Sequence, residues 1–101
     1  MRTRAIQRVF HDAEPMHGKW VVLFVAPGSG ELALVAGKKI GGAVQRNRAR
    51  RVLRAAIREV APHGVEGHDV VLVAREAIRD ARTQDLITEM TELLQRGGTR
   101  R

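Results

Sequence analysis

The chain has 101 residues, 44% of them hydrophobic, with 18 Lys and Arg against 11 Asp and Glu for a formal net charge of +7. That length and apolar content suit a single domain, residues 1–101, around one modest core, and the absence of cysteine excludes a disulfide framework and a thiolate metal site. No apolar run approaches the roughly 20 residues that cross a bilayer, and the N-terminus lacks the charged-then-apolar order of a secretory signal, so a cytoplasmic protein without a membrane partner is expected.

Residues 2–12 predict a short helix. Ile6, Val9 and Phe10 recur at i, i+3, i+4 and share one face, with Arg2, Arg4 and Arg8 elsewhere on it. Pro15 and Gly18 then break the chain. Residues 19–26 (KWVVLFVA), rich in β-branched and aromatic side chains, predict a strand on which Trp20, Val22 and Phe24 share one face and form a candidate core patch. Pro27-Gly28-Ser29-Gly30 predicts a turn into a second strand, residues 31–36 (ELALVA), paired back on the first. Both runs are nearly continuously apolar, so each face of the sheet is expected to be covered.

Residues 37–42 connect to a helix over 43–60, and Pro62, Gly64 and Gly67 mark the next loop. Residues 69–74 (DVVLVA) predict a third strand. Residues 83–95 predict an amphipathic helix with Leu86, Ile87, Met90, Leu93 and Leu94 apolar, stopped by Gly97-Gly98 and followed by the basic Arg100-Arg101. The order αββαβα predicts an α+β fold, a two-layer α/β sandwich.

Charge carries the functional signal. Every cation except Lys19, Lys38 and Lys39 is arginine, a planar and permanently charged group that can grip phosphate bidentately. Cations concentrate in residues 37–58 (GKKIGGAVQRNRARRVLRAAIR). At about 100° per residue, Ala49, Val52, Leu53, Ala56, Ile57 and Val60 form one apolar stripe, while Asn47, Arg50, Arg51, Arg54 and Arg58 gather on an adjoining side. Arg46 borders the stripe and Arg48 lies on the far flank. No Asp or Glu occurs between Glu31 and Glu59. The pairs Arg46/Arg50, Arg50/Arg54 and Arg54/Arg58 therefore repel without relief, at roughly 0.2–0.5 kcal/mol each. Such a face is suited to a polyanion, nucleic acid or less specifically an anionic membrane. Lys38 and Lys39 precede the helix start. There Gly41-Gly42 either leave N–H groups facing phosphate or form a plain turn or cap, and both readings stand.

Lys38-Lys39-Ile40-Gly41, then Ala43-Val44, then Arg46-Asn47-Arg48-x-Arg50-Arg51-x-x-Arg54 resemble the signature of the bacterial ribonuclease P protein component. Val9-Phe10 at a helix end, a strand ending at Phe24, another closing on Val73-Ala74-Arg75 and a terminal amphipathic helix extend the resemblance over nearly the whole chain. It implies a left-handed strand–helix–strand crossover, against the usual hand. It also implies that Lys39, Arg46, Asn47, Arg48, Arg50, Arg51 and Arg54 contact a catalytic RNA, alongside Lys38 and Arg58 of the same basic surface. Phe10 and Phe24 match aromatic positions of a cleft for the 5′ leader of precursor tRNA, where a stacked base contributes roughly 1–3 kcal/mol. The implied role is a non-catalytic protein subunit of an endoribonuclease. Its partners are then that RNA and precursor tRNA, with Mg²⁺ at the active site of the RNA and no cofactor bound by the protein alone. Three positions depart from the family pattern: Ile6 stands where Phe is usual, Gly42 for Asn, and Gly37 for Ser.

Other chemistry is poorly supported. Gly30 and Gly37 have six residues between them, not four, and Lys38 is followed by Lys39, which excludes a phosphate-loop NTPase. His11, His17, His63 and His68 lack paired metal-ligand spacing, and His63, Glu66, His68 and Asp69 are expected as surface-loop residues. Asp85, Glu89 and Glu92 are expected on a solvated helix face, and no residue is assigned a catalytic role. Two alternatives remain. A general RNA chaperone would bind structured RNA without leader dependence, and a stand-alone metal-dependent nuclease would cleave without an RNA partner.

Overall fold

The computed structural model describes residues 1–62 and 67–96. The expectations placed on His63, Gly64, Glu66, Gly97-Gly98 and Arg100-Arg101 lie outside those residues. The chain runs α1 (Thr3–Asp12), β1 (Met16–His17), β2 (Val21–Pro27), β3 (Leu32–Val35), α2 (Ala43–Val60), β4 (His68–Ala74) and α3 (Thr83–Arg96), with short 3-10 turns at Lys38–Ile40 and Glu76–Asp80. The class is α+β, as expected. The order differs by one element, because the two-residue β1 is too short to leave a periodic signal.

The sheet order is β1-β2-β4-β3, which corrects the expected hairpin. β2 and β3 do not pair. β4 lies between them, antiparallel to β2 with Phe24 opposite Val71, and parallel to β3 with Leu34 opposite Leu72. Parallel pairing of β3 with β4 requires a crossover, which α2 supplies. The unbroken apolar run of β4 fits this central place, with four successive buried residues from Asp69 to Leu72.

Alternation along the strands separates two cores. Val21, Leu23, Val70 and Leu72 pack under the apolar stripes of α2 and α3. Val9 of α1 packs with Ala26, Ala33 and Val71 on the opposite face, flanked by Phe24 and Val73. Trp20 departs from the expected strand face, joining the α2–α3 core while Phe24 faces α1. The cause is a bend before β2. Glu89 on α3 accepts the N–H of Lys19, of Trp20 at 2.9 Å and of Val21 at 3.1 Å, so regular alternation begins only at Val21. Glu89 is thus not on a solvated face. Asp85 also has a local task, accepting the Arg82 N–H at 2.9 Å from the third helical position, half of a capping box. Glu92 is exposed as expected.

Asp69 is likewise no surface-loop residue. It is 2% exposed, the one buried charged side chain among the described residues. Its Oδ1 accepts the N–H groups of Ser29 and Glu31, each at 3.0 Å, and its Oδ2 pairs with the Arg8 guanidinium. This carboxylate holds the 27–31 loop over the start of β4. Gly28 is required there, because a Cβ would collide with the Asp69 carboxyl. The Glu31 N–H, aided by the Ser29 N–H and the Arg8 charge, holds the Asp69 pKa below its ordinary 3.8 against the opposing effect of burial.

Asp69→Ala is expected to cost about 2–3 kcal/mol of unfolding free energy at pH 7, the scale of hydrogen bonds to a charged group. A carboxylate with a lowered folded pKa stabilises above its unfolded value and ceases to as pH falls through the folded one. Urea titrations should therefore show a constant gap from the unsubstituted protein above pH 5 and a narrowing one below about pH 4. A gap unchanged on acidification to pH 2 would contradict this account.

Candidate nucleic-acid interface

The basic surface is built from a buried anchor outward. Ile40 is 1% exposed and seats the Lys38–Ile40 turn in the core, leaving Lys38 and Lys39 outside. Gly41 then reverses the chain at φ +132°, a conformation L side chains rarely adopt, so glycine is needed here. α2 starts next, with Gly42 at its cap and no side chain bonded to its first N–H groups.

The expected stripe is the buried one: Ala49, Val52, Leu53, Ala56, Ile57 and Val60. Asn47, Arg51, Arg54 and Arg58 are exposed, and Arg46 and Arg50 are half-buried. Among the described residues, the ion pairs involve Arg8 and His11 and none of the α2 arginines. The repulsion read from the sequence is thus unrelieved in the fold. Arg50 donates to the Asn47 Oδ1, so Asn47 fixes the direction of one guanidinium on the face.

Arg48 is placed differently from its expected neighbours. Its guanidinium donates to the carbonyls of Ile78 at 3.3 Å and Ala81 at 2.8 Å, tying α2 to the turn after β4. Its position on the far flank of the wheel was the available signal, and only the fold supplies the acceptors.

Phe10 and Phe24 meet edge to face, with centroids 4.7 Å apart and planes at 67°. With Pro15, His17, Val22 and Val73 they line an open hollow of about 380 Å³ whose surface is wholly apolar. Sequence reasoning missed Pro15, His17 and Val73 as lining residues; Val73 alone had a signal, the same strand parity as Val71. A second hollow, about 330 Å³, is lined by Met1, Ile6, Leu32, Ala33, Leu34, Arg50 and Arg54. Ile6 and Phe10 lie one turn apart on the same flank of α1, about 6 Å along its axis. That flank links the arginine face to the aromatic hollow.

Among the described residues no group of three or more His, Asp or Glu side chains could hold a metal ion. No described helix is long and apolar enough to cross a membrane.

A mixed sheet that carries an arginine-faced helix beside an apolar, aromatic-walled hollow defines a small basic α+β protein with an unpaired cationic face. The family model described as Ribonuclease P matches residues 1–98. The chain is 35% identical to the ribonuclease P protein component of Chloroflexus aurantiacus, over 92% of this chain and 72% of that one. It is 36% identical to that of Roseiflexus sp., over 91% and 79%. The chain belongs to the ribonuclease P protein family. Its fold matches the Staphylococcus aureus RNase P protein with a TM-score of 0.83 at 19% identity, covering 98% of this chain and 94% of that one. It also matches the Thermotoga maritima RNase P protein in complex with 1-(4-fluorophenyl)-2-thiourea, with a TM-score of 0.80 at 20% identity, over 95% and 97%.

The split between Arg48 and the exposed arginines is testable by thermal unfolding. Arg48→Ala should cost about 1–2 kcal/mol, since two carbonyls lose a charged donor. Arg54→Ala should stay within about 0.5 kcal/mol of the unsubstituted protein, as exposed substitutions do. Equal losses would contradict the assignment.

Proposed function

We propose that this chain binds the catalytic RNA of ribonuclease P through α2 and the 5′ leader of precursor tRNA through the aromatic hollow, and so assists removal of the leader. The observation that carries the proposal is the unneutralised arginine face adjoining that hollow along α1. On this reading Arg51, Arg54 and Arg58 neutralise RNA phosphates, with Lys38, Lys39 and Arg46 extending the same surface. Asn47 aims Arg50. Arg48 secures the helix and contributes to RNA contact mainly through that support. A leader base stacks against the aromatic wall that Phe10 and Phe24 form together, gaining roughly 1–3 kcal/mol without hydrogen-bond readout.

None of these side chains moves a proton or attacks phosphorus. Mg²⁺ held by the RNA would supply the activated water for phosphodiester hydrolysis. The protein contributes binding and orientation, which raise the effective concentration of the scissile bond at the RNA active site. Residues 1–101 act as a single domain, in the cytoplasm, as a non-catalytic subunit of the endoribonuclease.

The test combines the chain with a bacterial ribonuclease P RNA and precursor tRNA at low Mg²⁺. Cleavage at the mature 5′ end should rise at least about tenfold over RNA alone, equivalent to about 1.4 kcal/mol, and the gain should shrink when the leader is cut to one nucleotide. No enhancement would overturn the proposal. Enhancement independent of the leader would restrict it to the catalytic RNA and favour a general RNA chaperone.

A further inference from the structure

α1 rests on the sheet through Val9, fully buried against Ala26, Ala33 and Val71, with Ile6 one turn earlier partly buried against the same cluster. One contact line of this kind leaves a helix free to roll about its axis. The two neighbours of Val9 in sequence project about 100° to either side of it, and each is held. Phe10, 39% exposed, meets Phe24 across the aromatic hollow. Arg8 on the opposite flank meets Asp69, whose carboxylate is itself fixed by the Ser29 and Glu31 N–H groups. Arg8 also donates to the Pro27 carbonyl at 3.4 Å and lies 3.8 Å from Asp12.

From this geometry we propose that the Arg8–Asp69 pair is a positioning device for the leader cleft, setting the roll of α1 about Val9 and hence the seat of Phe10 against Phe24. The inference rests on the reading of that hollow as the leader site. The anchored end suits the task. Asp69 is buried, bonded to a loop and carried on the central strand, so it cannot follow Arg8 if α1 rolls. The Arg8 end is half-exposed, at 42% of its side chain. Water therefore screens part of the attraction, and the pair works chiefly through direction, as a forked donor aimed at a fixed carboxylate. Arg8 is then not a free cation for leader phosphate, despite its place on the helix that walls the cleft.

The test uses the full chain with Arg8→Gln, and Arg8→Lys as the conservative variant. In the protein alone, Arg8→Gln should shift the Phe10 and Phe24 ring resonances, which report their edge-to-face contact. Methyl resonances of Leu53, Leu72 and Leu93 in the other core should stay in place. A merely stabilising pair would leave the ring resonances unmoved in the folded protein. With a bacterial ribonuclease P RNA, KM for leader-bearing precursor tRNA should rise roughly fivefold or more, the lower end of losing one stacked base, with kcat unchanged. A substrate with a one-nucleotide leader should be unaffected, and Arg8→Lys should recover part of both effects. Folded Arg8→Gln protein with unshifted rings or full leader dependence would overturn the inference. Should Arg8→Gln not fold, Arg8→Lys decides alone: partial ring shifts support the pair, and unshifted rings overturn it. If the unsubstituted protein shows no leader dependence, the cleft reading fails instead, and the RNA-free ring resonances still decide whether the pair positions Phe10.

Discussion

Burial of Val52, Leu53, Ile57 and Val60 under α2 contributes about 1.5–3 kcal/mol per side chain, whereas the three arginine pairs at i, i+4 together cost roughly 1 kcal/mol. The apolar stripe therefore wins by a wide margin and fixes the helix against the sheet with its cations outward. Had the stripe been weaker, an acid-free basic helix of this kind would fray before it met a partner. Because it is strong, the repulsion persists in the folded protein as a surface prepared for negative charge, and each phosphate placed on it relieves strain as well as releasing counterions.

Two acids serve the sheet instead. Glu89 gathers three successive N–H groups at the start of β2, and Asp69 gathers two N–H groups and Arg8 beyond its end. Strand β2 is thus held at both ends by buried or half-buried acids. Phe24 sits midway along it, so the aromatic wall of the hollow inherits that rigidity. The same two acids attach α3 and α1 to the sheet, and the electrostatics of the core and the shape of the cleft have a common origin.

How much of this was legible depends on whether the cause was local. The limits of α2 and the identity of its buried stripe follow from 3.6-residue periodicity, and Gly41-Gly42 mark its start. The family signature was readable because a helix presents its residues at a fixed spacing, whereas a shared place for Phe10 and Phe24 came only from the resemblance to the family. What failed was pairing between distant segments. Pro27 to Gly30 looks like a hairpin turn, yet the loop is drawn over the start of β4 by Asp69, some 40 residues away. Trp20 leaves its expected strand face because Glu89, from the far end of the chain, bends the backbone there. Arg48 resembled its basic neighbours in sequence, and only the turn after β4 gives it carbonyls to bind.

On the proposed function, the exposed side of α2 neutralises RNA phosphates. The most direct test is the salt dependence of affinity for a bacterial ribonuclease P RNA, compared between the unsubstituted chain and a variant with Arg50, Arg51 and Arg54 changed to Ala. Each lost phosphate contact should flatten the slope of log K against log salt by about 0.7–0.9, so the triple variant should lose roughly 2–3 units of slope. A variant that binds with an unchanged slope would place the RNA on another surface of the protein.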